Sequence, residues 1–325
     1  MSKKLGLVYM GSKRSIAPKL LATMRAYVGE PFNLLDLFGG GGAMSFAAYA
    51  SPFVGEVWYN EFNGQPVQLL KHTLNVGTLE EACEEFMEEF VTRDQYMNLR
   101  NGNSLDAAKC LYWAFGVPGG VCNYIMSADI EASARLAHQF ICHEAIKAGG
   151  SIHKGLQIYR NNKLKAAIDL ATDKRFRYDP YSRYQHFLNI VALPEREKRI
   201  HAKLNVIYCD IPYGDTWDYR LLLQDSVRNS IEPFYLRQGF QVTNTSYDGS
   251  ANDYDRTLFI NWCLSRKEPV FVSEHKLPEE YFKLILDYTH TNTNGRFRKN
   301  QSERLFICKN EWYKKDLATR VGAFV

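Results

Sequence analysis

The sequence has no pair of cysteines at CxxC spacing. Its seven cysteines (Cys83, Cys110, Cys122, Cys142, Cys209, Cys263 and Cys308) are scattered along 325 residues. That excludes a zinc ribbon and a dithiol redox motif. Cys209 and Cys308 sit in apolar runs and read as small core residues, and thiols used this way point to a reducing cytoplasm. Long apolar runs are missing too. None reaches the roughly 18 residues that a spanning helix requires, so no membrane partner is expected. The N-terminus, MSKKLGLVYMGSKRS, is basic but lacks the apolar stretch of a secretory signal. The eight histidines form no metal set; His143 beside Glu144 reads as helix surface. There is no internal repeat and no low-complexity tract. Charge of one sign is also scarce: the net charge of +4 permits a nucleic-acid partner without requiring one.

What remains is an ordinary globular composition, 46% hydrophobic and 23% charged. The length suits one large α/β domain or a domain carrying an insertion. Charge is unevenly placed. LEEACEEFMEEFVTR, from residue 79, is acidic, whereas residues 154–186 and 296–304 are basic.

NLLDLF (33–38) reads as a strand. The run Gly39–Gly42 follows, then AMSFAAYA as a helix, then EVWYNEF (56–62) as a second strand. Strand, glycine turn, helix and strand open a parallel α/β unit. From about residue 63 to 186 strand signals are few. Apolar residues recur at helical spacing over 79–100, and SLDAAKCLYWAF, DIEASARLAHQFICHEAIKA and NNKLKAAIDLAT also read as helices. Strands return with LNVIYCD (204–210), PVFVSE (269–274) and RLFICKN (304–310). DYDRTLFINWCLSRK and LPEEYFKLILDY between them read as helices. An α/β sheet starts, is interrupted by a helical insertion, and resumes.

The turn DLFGGGGAMS departs from a dinucleotide fingerprint. Gly39 and Gly41 supply GxG, but Met44 stands where the third glycine belongs, and Asp36 precedes the glycines. This disfavours a nicotinamide dehydrogenase. The order suits S-adenosylmethionine, which has a sulfonium, an ammonium and a ribose diol but no pyrophosphate. A carboxylate ending the first strand, Asp36, can hold the ammonium. Glu61, ending the second, can accept from both ribose hydroxyls. Glycines let the backbone approach the ligand.

The strand LNVIYCD runs into Asp210, Ile211, Pro212 and Tyr213. Suppose the substrate nucleophile is an amino group on an aromatic ring, such as adenine's exocyclic amine: it is a poor nucleophile because its lone pair is delocalised into the ring. Acceptors pulling on both N–H bonds favour a pyramidal nitrogen and expose that lone pair. Asp210 and the carbonyl of Ile211 can be those acceptors. A carboxylate with a pKa of about 4 is too weak to deprotonate the amine first. Its role is orientation and stabilisation of developing charge. Tyr213 offers a stacking face for an extruded base, and Pro212 stiffens the turn.

Taken together, DLFGGGG, NEF and YCDIPYGDT resemble the amino-group DNA adenine methyltransferases of bacteria and phages. In the matching subgroup the cofactor motif comes first, then a target-recognition insert, then the catalytic tetrapeptide. YMGSKRSIAPKL resembles that family's leading motif, and WAFGVPGG and NYIMSADIE look like phage-type members. The resemblance implies a Rossmann-like sheet whose last strands form an antiparallel hairpin. It implies a catalytic domain of residues 1–62 and 187–325 and an inserted recognition region of 63–186. It also implies a cofactor site of Tyr9, Lys13, Asp36, Phe38, Gly39, Gly41, Glu61 and Asp210, and a catalytic site of Asp210, Ile211, Pro212 and Tyr213. The family tetrapeptide is usually Asp-Pro-Pro-Tyr. Ile211 departs from it mildly, since the useful group there is a carbonyl.

The implied partner is duplex DNA. Base chemistry requires the base to leave the stack. Lys174, Arg175, Arg177 and Arg183 interleave with aromatics and can hold phosphates, as can Arg296, Arg298 and Lys299. No metal is implied. A cognate restriction endonuclease, the oligomeric state and the target site are left open. Three other readings remain: amino-methylation of cytosine, RNA or protein glutamine; a non-catalytic DNA-binding descendant; and the disfavoured dehydrogenase.

Overall fold

The computed structural model describes residues 6, 13–61, 64–75, 79–99, 104–106, 128–162, 180–181, 184–185, 188, 200–211, 234–236, 240–244, 256–292 and 299–322. The chain divides into two compact units. One comprises Met1–Gly6, Gly11–Phe62 and Leu193–Val325; the other comprises Leu7–Met10 and Asn63–Ala192.

The first unit is built on an eight-stranded sheet. It begins with helix α1 (Ala17–Val28), which buries Ala17, Leu20, Leu21 and Met24 at three-to-four spacing. The carbonyl of Lys13 accepts from the amides of Ile16 and Ala17. Pro18 lies in the first turn, and Gly29 closes the helix at φ 80°, a left-handed conformation that glycine adopts freely. No element was expected here from the sequence. Its signals were Pro18 near the start and Gly29 just past the end.

Strand β1 (Phe32–Asp36) leads through the glycine turn to α2 (Ala43–Tyr49) and β2 (Val54–Glu61). β1 pairs in parallel with β2 on one side and with β3 (Leu204–Asp210) on the other. Beyond β2 lie β5 (Phe240–Asn244), parallel, and β4 (Phe234–Leu236), antiparallel to β5. Beyond β3 lie β6 (Val270–Ser273), parallel, and the antiparallel pair β7 (Phe282–Asn292) and β8 (Lys299–Cys308). The order is β4-β5-β2-β1-β3-β6-β8-β7. This is an α/β, Rossmann-like sheet whose last two strands pair antiparallel, as the resemblance implied. In β3 the residues from Val206 to Cys209 are all buried, the apolar run expected of a central parallel strand. Helix α8 (Arg256–Leu264) places Phe259, Trp262 and Cys263 on this sheet, in a core with Ile207, Cys209, Ile211, Val272 and Phe306. Helix α9 (Glu311–Gly322) follows β8.

One element corrects the sequence reading. LPEEYFKLILDY (277–288) is not a helix: from Phe282 it is strand β7. Leucine spacing and charged ends give the segment a helical look, yet β8 offers a full ladder from Phe282↔Cys308 to Asn292↔Lys299. Phe282 is buried while Lys283 and Leu284 are exposed, and cross-strand pairing outweighs local preference.

The described residues of the second unit form helices and no strand: α3 (Gly64–Asn75), α4 (Leu79–Glu88), α5 (Arg93–Leu99), α6 (Ala128–Lys147) and α7 (Ile152–Arg160). The helical span expected over 79–100 is two helices, α4 and α5. Their core gathers Cys83, Phe86, Met87, Tyr96, Ala137, Ile141 and Leu156. Glu84 accepts from Ser151 Oγ and from the amides of Ile152 and His153, which satisfies free donors where α7 begins. Gly155 packs directly on the Ile141 carbonyl, where any side chain would overlap it. His143 lies on the exposed face of α6 and bonds to Glu144. Most of SLDAAKCLYWAF and NNKLKAAIDLAT lies outside the described residues. Among the described residues no helix is long and apolar enough to cross a membrane.

Candidate active site

Because β1, β2 and β3 run parallel, their carboxyl ends share one edge of the sheet. From β1 the chain passes to β2 on one side, and β3 lies on the other. The order of strands reverses there, and α/β sheets bind ligands at such a point. Asp36, Glu61 and Asp210 end these three strands.

Asp36 is 1% exposed. Its Oδ2 accepts from Ser45 Oγ at 2.6 Å. Its Oδ1 is buried with no hydrogen-bond partner among the described residues. Burial pushes its pKa up to about 7, against the Ser45 hydrogen bond, and the charges of Asp210 and Glu61 add to the rise. A buried acceptor without a donor costs free energy, so this oxygen marks a place for one. The glycine turn beside it is tied down by its own polar groups. The Gly39 amide donates to Asn60 O at 2.8 Å, and the Gly42 amide to Gly39 O at 2.7 Å. The Gly40 amide donates to Glu61 Oε2 at 2.6 Å, and Tyr59 Oη donates to Gly40 O at 2.8 Å. Asn60 Nδ2 reaches Leu37 O at 2.9 Å. A Cβ on Gly39 would overlap the Tyr59 ring. Gly6 lies on the same turn, where a Cβ would come within 2.8 Å of Ala43 and 2.9 Å of Gly41 O.

Asp210 belongs to a buried ionic cluster. Lys13 Nζ donates to Asp210 Oδ1 at 2.8 Å and to Glu303 Oε1 at 3.3 Å. Lys13 is 4% exposed and Glu303 7%. Burial alone would lower the lysine; the charges of Asp210 and Glu303 outweigh it, and its pKa rises. Burial raises Asp210 to about 6: Lys13 pulls it down, while Glu303 and Glu274 push it up. Tyr208 on the same strand bonds to Ser273 Oγ at 2.8 Å, and burial drives its phenol well above the ordinary value. Ile211 is 1% exposed, its side chain held in the core with Phe259 and Trp262.

The structure therefore brings Lys13 and Asp210 into direct contact, and gathers Asp36, Gly39, Gly41 and Glu61 around one turn. Phe38 is half-buried and meets Phe259 edge-on, with centroids 6.2 Å apart, so part of its ring serves the core. One Glu61 oxygen is already engaged by the turn. Tyr9, Pro212, Tyr213, Lys174, Arg175, Arg177, Arg183, Arg296 and Arg298 lie outside the described residues, and Lys299 opens β8. Two residues of the cluster escaped the sequence reading. Ser45 stands nine positions after Asp36, on α2. Glu303 lies within the basic stretch 296–304 and looked like part of a solvated hairpin.

Carboxyl groups at one sheet edge, one with a buried unpartnered oxygen, suit a ligand that carries positive charge. The chain matches, over residues 9–276, the family described as D12 class N6 adenine-specific DNA methyltransferase. A comparison with curated proteins gives no match.

Proposed function

The chain belongs to the family of D12 class N6 adenine-specific DNA methyltransferases, enzymes that methylate adenine in DNA, and on that premise we propose how its residues divide the work. S-adenosylmethionine is the donor and, when bound, supplies an electrophilic methyl group on a sulfonium. The residues at the switch point fit it: the orphaned Asp36 Oδ1 is an acceptor for an ammonium, and the glycine turn brings bare backbone beside it. Asp36 holds the ammonium. Glu61, whose Oε2 accepts from the Gly40 amide, stands at the end of β2 for the ribose hydroxyls. Gly39, Gly41 and Phe38 line the approach, and Tyr9 is assigned to donor binding by its place in the leading motif alone.

Asp210 and the Ile211 carbonyl grip the two N–H bonds of an adenine drawn out of the duplex. Lys13 occupies Asp210 Oδ1, so Oδ2 is the oxygen for the amine. Burial of Ile211 fixes the backbone on which its carbonyl sits, the service that a second proline performs in the usual tetrapeptide. Pro212 holds the turn and Tyr213 stacks on the base. Both acceptors sharpen the lone pair, and after methylation the cationic amine passes its surplus proton to Asp210 or water. A buried carboxylate is a stronger acceptor than a solvated one, since no water must be displaced as charge develops. The insert 63–186 carries target recognition. Lys174, Arg175, Arg177, Arg183, Arg296, Arg298 and Lys299 hold phosphates of duplex DNA. The buried thiols Cys209, Cys263 and Cys308, in no disulfide among the described residues, suit a reducing cytoplasm.

The observation that carries this reading is Asp36 Oδ1, buried and without a hydrogen-bond partner among the described residues, on the strand next to the one that ends in Asp210. The test supplies methyl-tritiated S-adenosylmethionine and duplex DNA to the wild type and to Asp210→Ala, then digests the DNA to nucleosides. Label in N6-methyldeoxyadenosine with the wild type, and its loss in a variant that still binds the donor, is the expected result. Equal label in the variant contradicts the role given to Asp210.

A further inference from the structure

The Lys13 ammonium is divided between two carboxylates that come from distant parts of the chain. Asp210 ends β3, and Glu303 lies within β8, opposite Tyr288 of β7. The lysine backbone is itself held, since its carbonyl caps the first turn of α1. Lys13 and Glu303 are buried, and Asp210 is 19% exposed. An ammonium given wholly to Asp210 would neutralise the carboxylate that must accept from the substrate amine. An ammonium shared with a second anion leaves more of the Asp210 charge for that task.

Resting on the function proposed above, we propose that Glu303 is a positioning residue for methyl transfer: it holds Lys13 from the far side, so that Lys13 orients Asp210 Oδ1 without quenching the acceptor strength of Oδ2. Other charged groups act on the same carboxylate. Glu274, at the end of β6, and Glu303 raise its pKa, Lys13 lowers it, and Asp36 on β1 and Tyr208 on β3 lie within its field. Glu274 is tied into the hairpin through its amide, which donates to the Arg304 carbonyl at 3.2 Å. Its Oε1 accepts from the His275 amide at 2.7 Å. Glu303 is a second carboxylate in contact with the lysine, at 3.3 Å.

The test is Glu303→Gln, which keeps an oxygen for Lys13 and removes the charge. The two carboxylate oxygens on Lys13 are no more than about 6 Å apart, given their 2.8 and 3.3 Å bonds. At an effective dielectric of about 20 the lost repulsion lowers the Asp210 pKa by about 2 pH units. Carbon-13 NMR of aspartate-labelled protein, with the Asp210 signal assigned by its absence in Asp210→Asn, reads this without any activity. In steady-state kinetics, kcat falls several-fold at pH 8, and the acidic limb of kcat/KM moves to lower pH by a similar amount. A merely structural glutamate would lower activity and stability and leave that limb in place. An Asp210 titration unchanged in Glu303→Gln overturns the proposal. Should that variant not fold, Lys13→Met carries the test: the Asp210 signal must then titrate higher, and an unmoved signal refutes the shared-lysine arrangement. A wild type that leaves adenine unmethylated while the NMR shift is found counts against the mechanism above and not against the cluster.

Discussion

Asp36→Asn separates what the fold prefers from what the ligand needs. The wild-type carboxyl is moved from an ordinary 3.8 to about 7, chiefly by burial. Ionising it inside the cofactor-free fold is therefore about 4 kcal/mol harder than in the unfolded chain. The sign follows from proton counts. Between about pH 4 and pH 7 the folded form holds a proton that the unfolded chain has released, so stability is full at the acid end, falls through that window and flattens above it. Asparagine removes this loss. It keeps an oxygen for Ser45 Oγ but puts an amide where Oδ1 was, and a buried unpaired N–H costs about 1–3 kcal/mol. The balance at pH 8 is a cofactor-free protein about 1–3 kcal/mol more stable than the wild type, which binds S-adenosylmethionine at least tenfold more weakly. Denaturant titrations of both proteins at pH 5 and pH 8, with calorimetry of donor binding at pH 8, measure all of these. A variant less stable than the wild type at pH 8, or one whose stability falls with pH as steeply, refutes the reasoning.

Donor affinity should itself depend on pH. Asp36 must be ionised to hold an ammonium, so affinity rises about tenfold per pH unit below about 7 and levels above it; calorimetry from pH 5.5 to 8.5 checks this, and Asp36→Asn should remove the slope. Gly39→Ala should cost about 1–3 kcal/mol of stability, because its Cβ meets the Tyr59 ring and lies 3.2 Å from Asn60 O. The displaced turn should weaken donor binding with it, as thermal denaturation and calorimetry will show. Ile211→Ala opens a cavity beside Phe259 and Trp262 and should cost about 2–5 kcal/mol. Ile211→Val should cost about 1 kcal/mol and keep transfer near the wild-type rate, in denaturant titration and a labelled-methyl assay respectively.

The central sheet was legible because its strands are short apolar runs that end in distinctive groups. NLLDLF stops at glycines, EVWYNEF at Asn60 and Glu61, and LNVIYCD at Asp210. Parallel strands buried on both faces carry their signal in composition alone. β7 was hidden for the opposite reason. Residues 283–288 are exposed or half-exposed, and pairing with β8 makes FKLILDYTHTN a strand. α1 carries a weaker local signal: its buried Leu20, Leu21 and Met24 are interspersed with Lys19 and Arg25, and only Pro18 and Gly29 mark its ends. At the site, Asp36, Glu61 and Asp210 were found because a strand end is a local feature. Glu303 was not, because its partner Lys13 stands 290 positions earlier and no spacing rule reaches that far. Lys13 was expected to help bind cofactor, and it donates to Asp210 and to Glu303. Ser45 required knowing that α2 turns its hydroxyl back onto the end of β1.

The most direct measurement is a crystal structure of the protein with S-adenosylhomocysteine and an adenine-containing duplex. The account predicts the amino group of the ligand on Asp36 Oδ1, and the adenine N6 within about 3 Å of both Asp210 Oδ2 and the Ile211 carbonyl. A ligand seated away from the glycine turn, or an N6 out of reach of those two oxygens, contradicts it.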